Sequence, residues 1–135
     1  MEAILAIQSV SPEIAQWSIW DYDRVARGEM AGWVAEDDGE VSGFLIARQI
    51  VSDLEILNFA VRPDIRRRGI GKALLETVLV WGRSLESESA LLEVRASNLA
   101  ALQFYEQQGF RTTGRRPRYY TAPLEDALVL HLKLV

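Results

Sequence analysis

At 135 residues the chain is long enough to bury one hydrophobic core and too short for two, so it reads as a single domain over 1–135. Hydrophobic residues make up 49% and charged residues 25%, which excludes a disordered or fibrous protein, and the lack of cysteine together with the lone His131 excludes disulfide frameworks, thiolate nucleophiles and Cys/His metal clusters. The net charge is −4, no apolar run reaches the roughly 20 residues of a membrane helix, and Met1-Glu2-Ala3-Ile4 lacks the basic start of a secretory signal, so a soluble, cytoplasmic protein without metal is expected.

Ala3 to Gln8 reads as a first strand. Ser11-Pro12-Glu13 then carries the signature of a helix start, with Ser11 as cap and Pro12 at the first helical position, and predicts a helical region to about Gly28. Trp33 to Glu36 and Val41 to Ile50 are two strands joined by a hairpin turn at Asp38-Gly39, and Leu54 to Val61 is a third that stops at Pro63. From Gly69 to Arg83 the apolar residues Ile70, Ala73, Leu74, Val78 and Trp81 follow the period of an amphipathic helix. Ala90 to Arg95 is another strand, Asn98 to Gln108 a helix closed by Gly109, and Phe110 to Tyr120 and Asp126 to Leu134 are the last two strands. This order predicts an α/β (α+β) domain: a mixed, mostly antiparallel sheet of about seven strands, one parallel crossover in its middle, and helices on both faces.

Charge divides the chain. Residues 1 to 61 hold 3 basic and 11 acidic side chains, residues 62 to 135 hold 12 and 8. The basic excess gathers in Arg62, Arg66, Arg67, Arg68 and Lys72 and again in Arg111, Arg115, Arg116 and Arg118, and each cluster points to an anion. The pI near 5.0 argues against direct nucleic-acid binding, so a small phosphorylated molecule is the expected ligand. In Arg66-Arg67-Arg68-Gly69-Ile70-Gly71-Lys72, two glycines and three arginines stand where a helix begins, unfavourable by propensity and by dipole. A phosphate resolves both conflicts, because glycines admit it to backbone N–H groups and the cations neutralise it. A solvated basic turn is the plain alternative.

The spacing Arg66-x-x-Gly69-x-Gly71 is similar to the acyl-CoA signature of the GCN5-related N-acetyltransferase (GNAT) superfamily. Asn58-Phe59-Ala60-Val61-x-Pro63-Asp64 before it, Leu92-Glu93-Val94-Arg95-Ala96-Ser97-Asn98 and Phe104-Tyr105-Glu106-x-x-Gly109-Phe110 after it, and Arg115-Arg116-x-x-Tyr119-Tyr120 resemble its RimI subgroup, the ribosomal-protein-alanine N-acetyltransferases. The resemblance spans roughly residues 41 to 132 and fades over 1 to 35. It implies acetyl-CoA as co-substrate, held by Arg66, Arg67, Arg68, Gly69, Ile70, Gly71, Lys72 and Asn98 and by backbone groups of Phe59, Ala60 and Val61, where the family's strand splays. It also implies Glu93 as general base, Tyr105 as general acid, and Tyr119 and Tyr120 in a lid over the acceptor, with Trp17 in the opposite wall.

Residue chemistry agrees with those roles, since an α-amine of pKa near 8 must lose a proton before it attacks a thioester, and the departing thiolate needs one. Each residue also has a structural reading: Glu93 as a surface carboxylate, Tyr105, Phe59, Ala60 and Val61 as core, Asn98 as an N-cap, Trp17, Trp20 and Tyr22 as packing on the sheet. The implied function is direct transfer, in a ternary complex, of acetyl to a protein N-terminus, in particular the alanine of a small-subunit ribosomal protein. The acids Glu13, Asp21, Asp23 and Glu29 suggest a basic acceptor. An acetyltransferase of small amines or lysine, or a silent CoA-binding module, is the alternative.

Overall fold

The computed structural model describes residues 1–66, 69–121 and 123–135. Helices α1 (Glu2–Ser9) and α2 (Ile19–Ala26) come first, followed by strands β1 (Ala31–Asp37), β2 (Glu40–Ile50) and β3 (Asp53–Val61). A single 3-10 turn at Pro63–Ile65 leads to α3 (Ile70–Ser84), β4 (Ser89–Arg95), α4 (Leu99–Gln107), β5 (Arg111–Thr121) and β6 (Leu124–Lys133). The described strands form one sheet in the order β1-β2-β3-β4-β6-β5, antiparallel throughout except for the central β3–β4 pair, which α3 connects as a parallel crossover.

Two expectations are corrected at the N-terminus. Ala3 to Gln8 is helical, so the sheet has six strands where about seven were expected. A short apolar run does not distinguish strand from helix by itself. Here Ala3 and Ala6 favour the helix, and Ile4 and Ile7, one turn apart, enter the same cluster under β2 and β3. The next helix starts not at Ser11 but at Ser18, whose hydroxyl accepts the Asp21 N–H at 3.3 Å while the Asp21 carboxylate accepts the Ser18 N–H at 2.8 Å. This capping box satisfies two backbone donors where Ser11-Pro12-Glu13 offers no such reciprocal pair. Ser11 is instead fully buried in a turn.

Two apolar clusters lie on opposite faces of the sheet. One packs Leu75, Val78 and Leu79 of α3 and Tyr105 of α4 against Leu45, Leu54, Ile56, Leu92, Val94 and Leu130. The other packs Ile7 of α1 and Tyr22 of α2 against Phe44, Ile46 and Ala60. Gly82 of α3 sits directly over β3: a Cβ there would come within 2.7 Å of Leu54 Cδ2, so only glycine permits this approach. Among the described residues no helix is long and apolar enough to cross a membrane.

Candidate active site

The site arises from one extra residue in β3. Ile46 pairs with Asn58 and Ala47 with Ile56, which leaves Leu57 unopposed as a β-bulge. Before it, Leu54 and Ile56 face α3 and α4; after it, Phe59 takes that face, and Asn58 and Ala60 turn to α1 and α2. The bulge also bends β3 away from its parallel neighbour. Pairing with β4 comprises only Asp53↔Ser89, Leu54↔Ala90 and Glu55↔Leu91, although both strands continue for several residues. The sheet therefore opens between Leu57–Val61 and Leu92–Arg95.

On the α3/α4 side of this opening lies a cleft of about 560 Å³ lined by Phe59, Ala60, Val61, Gly69, Ile70, Gly71, Lys72, Asn98, Phe104 and Tyr105. Apart from Phe104 these are residues expected at the cofactor, with the expected acid, and Arg66 lines the cleft too; Arg67 and Arg68 lie outside the described residues. Gly69 caps α3 at φ +82°, a conformation costly for any residue with a Cβ. A Cβ built on it would meet nothing within 4 Å, so the ground ahead of the first α3 turn is open to a ligand. Phosphate-sized anions fit such a helix start, and the extended wall of the cleft suits a pantetheine chain. Several predicted ligands have protein partners as well. Arg66 donates to the Val61 carbonyl (3.0 Å) and Ser11 (3.2 Å) and pairs with Glu13 at 2.7 Å, tying the loop before α2 to the end of β3. Asn98 Oδ1 caps α4 by accepting the Ala101 N–H, and the Phe59 N–H is held by Asn58 Oδ1.

Tyr105 is nearly buried in a set of edge-on aromatic contacts with Phe59, Phe104 and Phe110, at centroid separations of 6.4, 5.3 and 5.5 Å. Its hydroxyl takes no hydrogen bond among the described residues, and burial raises its pKa well above the ordinary tyrosine value, so it remains protonated at neutral pH.

Glu93 lies on the other side. Its neighbours Leu92 and Val94 enter the α3/α4 core, so strand alternation points Glu93 to the α1/α2 face. Its Oε1 is 3.0 Å from Arg116 Nε, and its Oε2 is buried with no hydrogen-bond partner among the described residues. An unpaired buried carboxylate oxygen is costly and marks a place for a donor. Tyr119 and Tyr120, expected in a lid, come near it where β5 inserts residues 117–119 opposite Asp126, Pro117 cannot donate to the ladder, and Arg118 sits at φ +54° with its N–H on Asp126. Tyr119 is raised in pKa by burial, by the Glu93 charge and by its hydroxyl's approach to that carboxylate, and Tyr120, stacked beneath Arg95 at 4.2 Å, is pushed up to about 12 by burial and by the Glu93 charge.

The first segment is less of an acceptor wall than expected. Trp17 packs 5.2 Å from Tyr22 in the α1/α2 cluster, Tyr22 is buried, and Trp20 is exposed. A polar network missed by the sequence reading joins them: Tyr22 donates to Gln8 Oε1, Gln8 to the Trp17 carbonyl at 2.7 Å, and Asn58 to Tyr22 at 3.0 Å and to the Ala15 carbonyl at 3.1 Å. The acids are likewise engaged locally, Glu13 by Arg66, Asp21 in its capping box, Asp23 and Glu29 by Arg27. They do not form the free acidic wall from which a basic acceptor was expected.

A strand splayed by a bulge, a glycine-led helix near its end, and a carboxylate and a tyrosine on opposite faces of the gap make up the architecture of the site. The sequence profile of the Acetyltransferase (GNAT) family matches residues 3–110, and the chain belongs to that family. It is thus an N-acetyltransferase drawing on acetyl-CoA. Among relatives, the [ribosomal protein bS18]-alanine N-acetyltransferase of Escherichia coli K12 is 36% identical over 99 residues, covering 72% of this chain and 67% of that protein. The crystal structure of the ribosomal-protein-S18-alanine N-acetyltransferase from Escherichia coli superimposes with TM-score 0.85 at 29% identity, covering 98% of this chain and 86% of that one. Ard1 from Thermoplasma volcanium superimposes with TM-score 0.90 at 28% identity, covering 99% and 90%.

Proposed function

We propose that the protein acetylates the α-amine of a protein N-terminus, with Glu93 as general base and Tyr105 as general acid, and that the acceptor is a ribosomal protein beginning with alanine. The observation that carries the reading is the opening between β3 and β4, with Glu93 on one face and Tyr105 on the other. An amine entering from the α1/α2 side and a thioester lying in the α3/α4 cleft would meet in the gap. The ribosomal acceptor is supported by the named specificity of the Escherichia coli relative.

The cradle from Gly69 to Lys72 and the β3 wall from Phe59 to Val61 would hold acetyl-CoA, which when bound supplies an activated acyl carbonyl and a thiol leaving group. Glu93 Oε2, lacking a donor, accepts the proton that the ammonium must lose before its nitrogen can attack. Arg116 on Oε1 keeps the carboxylate oriented during that step. The Tyr105 hydroxyl delivers its proton at the departing sulfur. The chain has no cysteine to carry an acyl group, which supports direct transfer in a ternary complex.

The test is a panel of short peptides differing in first residue, incubated with enzyme and acetyl-CoA, with the acetyl group located by mass spectrometry. Acetyl on the α-amine of alanine-first peptides is expected; acetyl confined to lysine side chains would overturn the assignment.

A further inference from the structure

Glu55 is a carboxylate that the proposed chemistry does not use. It lies on β3 between the core residues Leu54 and Ile56, so it faces the α1/α2 side, as Glu93 does on β4. It forms, with Leu91, the last register pair before the strands part. Arg48, its partner on β2, places Nε at 3.1 Å and Nη2 at 3.0 Å on the same oxygen, Oε2. Oε1 takes no hydrogen bond among the described residues. Glu93 is arranged in the same way, with Oε1 on Arg116 and Oε2 unpartnered. Two carboxylates thus flank the mouth of the opening, each neutralised by a guanidinium and each with one oxygen to spare. Their half-buried side chains, 25% and 19% exposed, keep water from screening them fully. The charges of both also act on the Tyr119 hydroxyl, which lies with them.

We infer that Glu55 and Glu93 together receive the acceptor's ammonium group, with Glu55 as the carboxylate that fixes the cation at the β3 edge and Glu93 as the one that deprotonates it. The inference rests on the proposed transfer to an amine and adds how the amine is recognised. Strand spacing and rise put the two Cα atoms on the order of 8 Å apart where pairing ends. The donors of an ammonium point about 109° apart, so one hydrogen-bonded to two carboxylates at about 2.8 Å each holds their oxygens about 4.6 Å apart, which two glutamate side chains can bracket. An ammonium has three donors, so one proton can leave to Glu93 while another stays on Glu55. Arg48 and Arg116 remove the repulsion that would otherwise push two such carboxylates apart.

The experiment measures peptide binding to the full-length enzyme saturated with CoA by calorimetry. It compares an alanine-first peptide with its des-amino counterpart, in which a propionyl group replaces alanine. Wild type is expected to prefer the amine, and Glu55→Gln to reduce that preference about 10- to 100-fold, the worth of a hydrogen bond between charged groups. Glu55→Asp should recover part of it, and CoA affinity should not change. Should Glu55→Gln fail to fold, the pair-deleting variant Glu55→Gln/Arg48→Gln should show the same loss. A preference that survives in these variants, or equal weakening of both peptides, would overturn the inference. If wild type shows the Glu55-dependent preference yet transfers no acetyl to the amine, the proposed activity fails and the recognition stands.

Discussion

Tyr105→Phe separates chemistry from packing because it removes one oxygen and nothing else. The ring would keep its contacts with Phe59, Phe104 and Phe110, and the hydroxyl makes no hydrogen bond among the described residues that could be lost. A hydroxyl at the cleft without a protein partner adds little to the fold, so the variant should match wild type within about 1 kcal/mol. At about 2.1 cal/mol/K per residue, unfolding of a chain this size has an entropy near 0.28 kcal/mol/K, so the change in Tm should stay within about 4 °C. Turnover should nevertheless fall by roughly 10²- to 10⁴-fold, the usual worth of a positioned acid. Thermal unfolding by circular dichroism and release of CoA thiol with a peptide acceptor measure the two quantities. Turnover within a few-fold of wild type would refute the acid, and a Tm lowered by 8 °C or more would show that the hydroxyl holds the fold.

Glu93→Gln should reduce kcat by roughly 10²- to 10⁴-fold, most severely at neutral pH where the acceptor is an ammonium, with CoA affinity by calorimetry unchanged. Asn58→Leu removes the donor to the Ala15 carbonyl and one of the two hydrogen bonds of the buried Tyr22 hydroxyl, which should cost on the order of 2–5 kcal/mol in urea unfolding. Tyr22 and Tyr120 rise from 10.0 to about 12, chiefly by burial, so the unfolded chain deprotonates first; stability should be complete below pH 10 and lost progressively toward pH 12. Tyr22→Phe should flatten part of that loss in unfolding curves taken across the same range.

Much of the architecture was legible before any coordinates. Asp38-Gly39 marks the hairpin, Pro63 the end of β3, and the period from Ile70 to Trp81 the covering helix. These signals are local, carried by φ restrictions and by side-chain repeats within one element. The glycines of Arg66-x-x-Gly69-x-Gly71 likewise marked a turn at the start of α3, where Gly69 adopts the left-handed conformation that only glycine adopts cheaply.

What the sequence alone determined, then, is the set of elements from β1 onward and the residue types available for acyl transfer. Tertiary structure decided the rest. Ala3 to Gln8 could be strand or helix until the α1/α2 face offered an apolar surface to Ile4 and Ile7. The bulge at Leu57 is invisible in the pattern of β3, whose even-numbered residues are buried on both sides of it and merely change face. That single displaced register turns the later part of β3 over and goes with the opening of the sheet beside Leu92–Arg95. Such placement depends on pairing between residues as distant as Glu55 and Leu91, and strand periodicity carries no information about which partner a strand will have or where it will leave it.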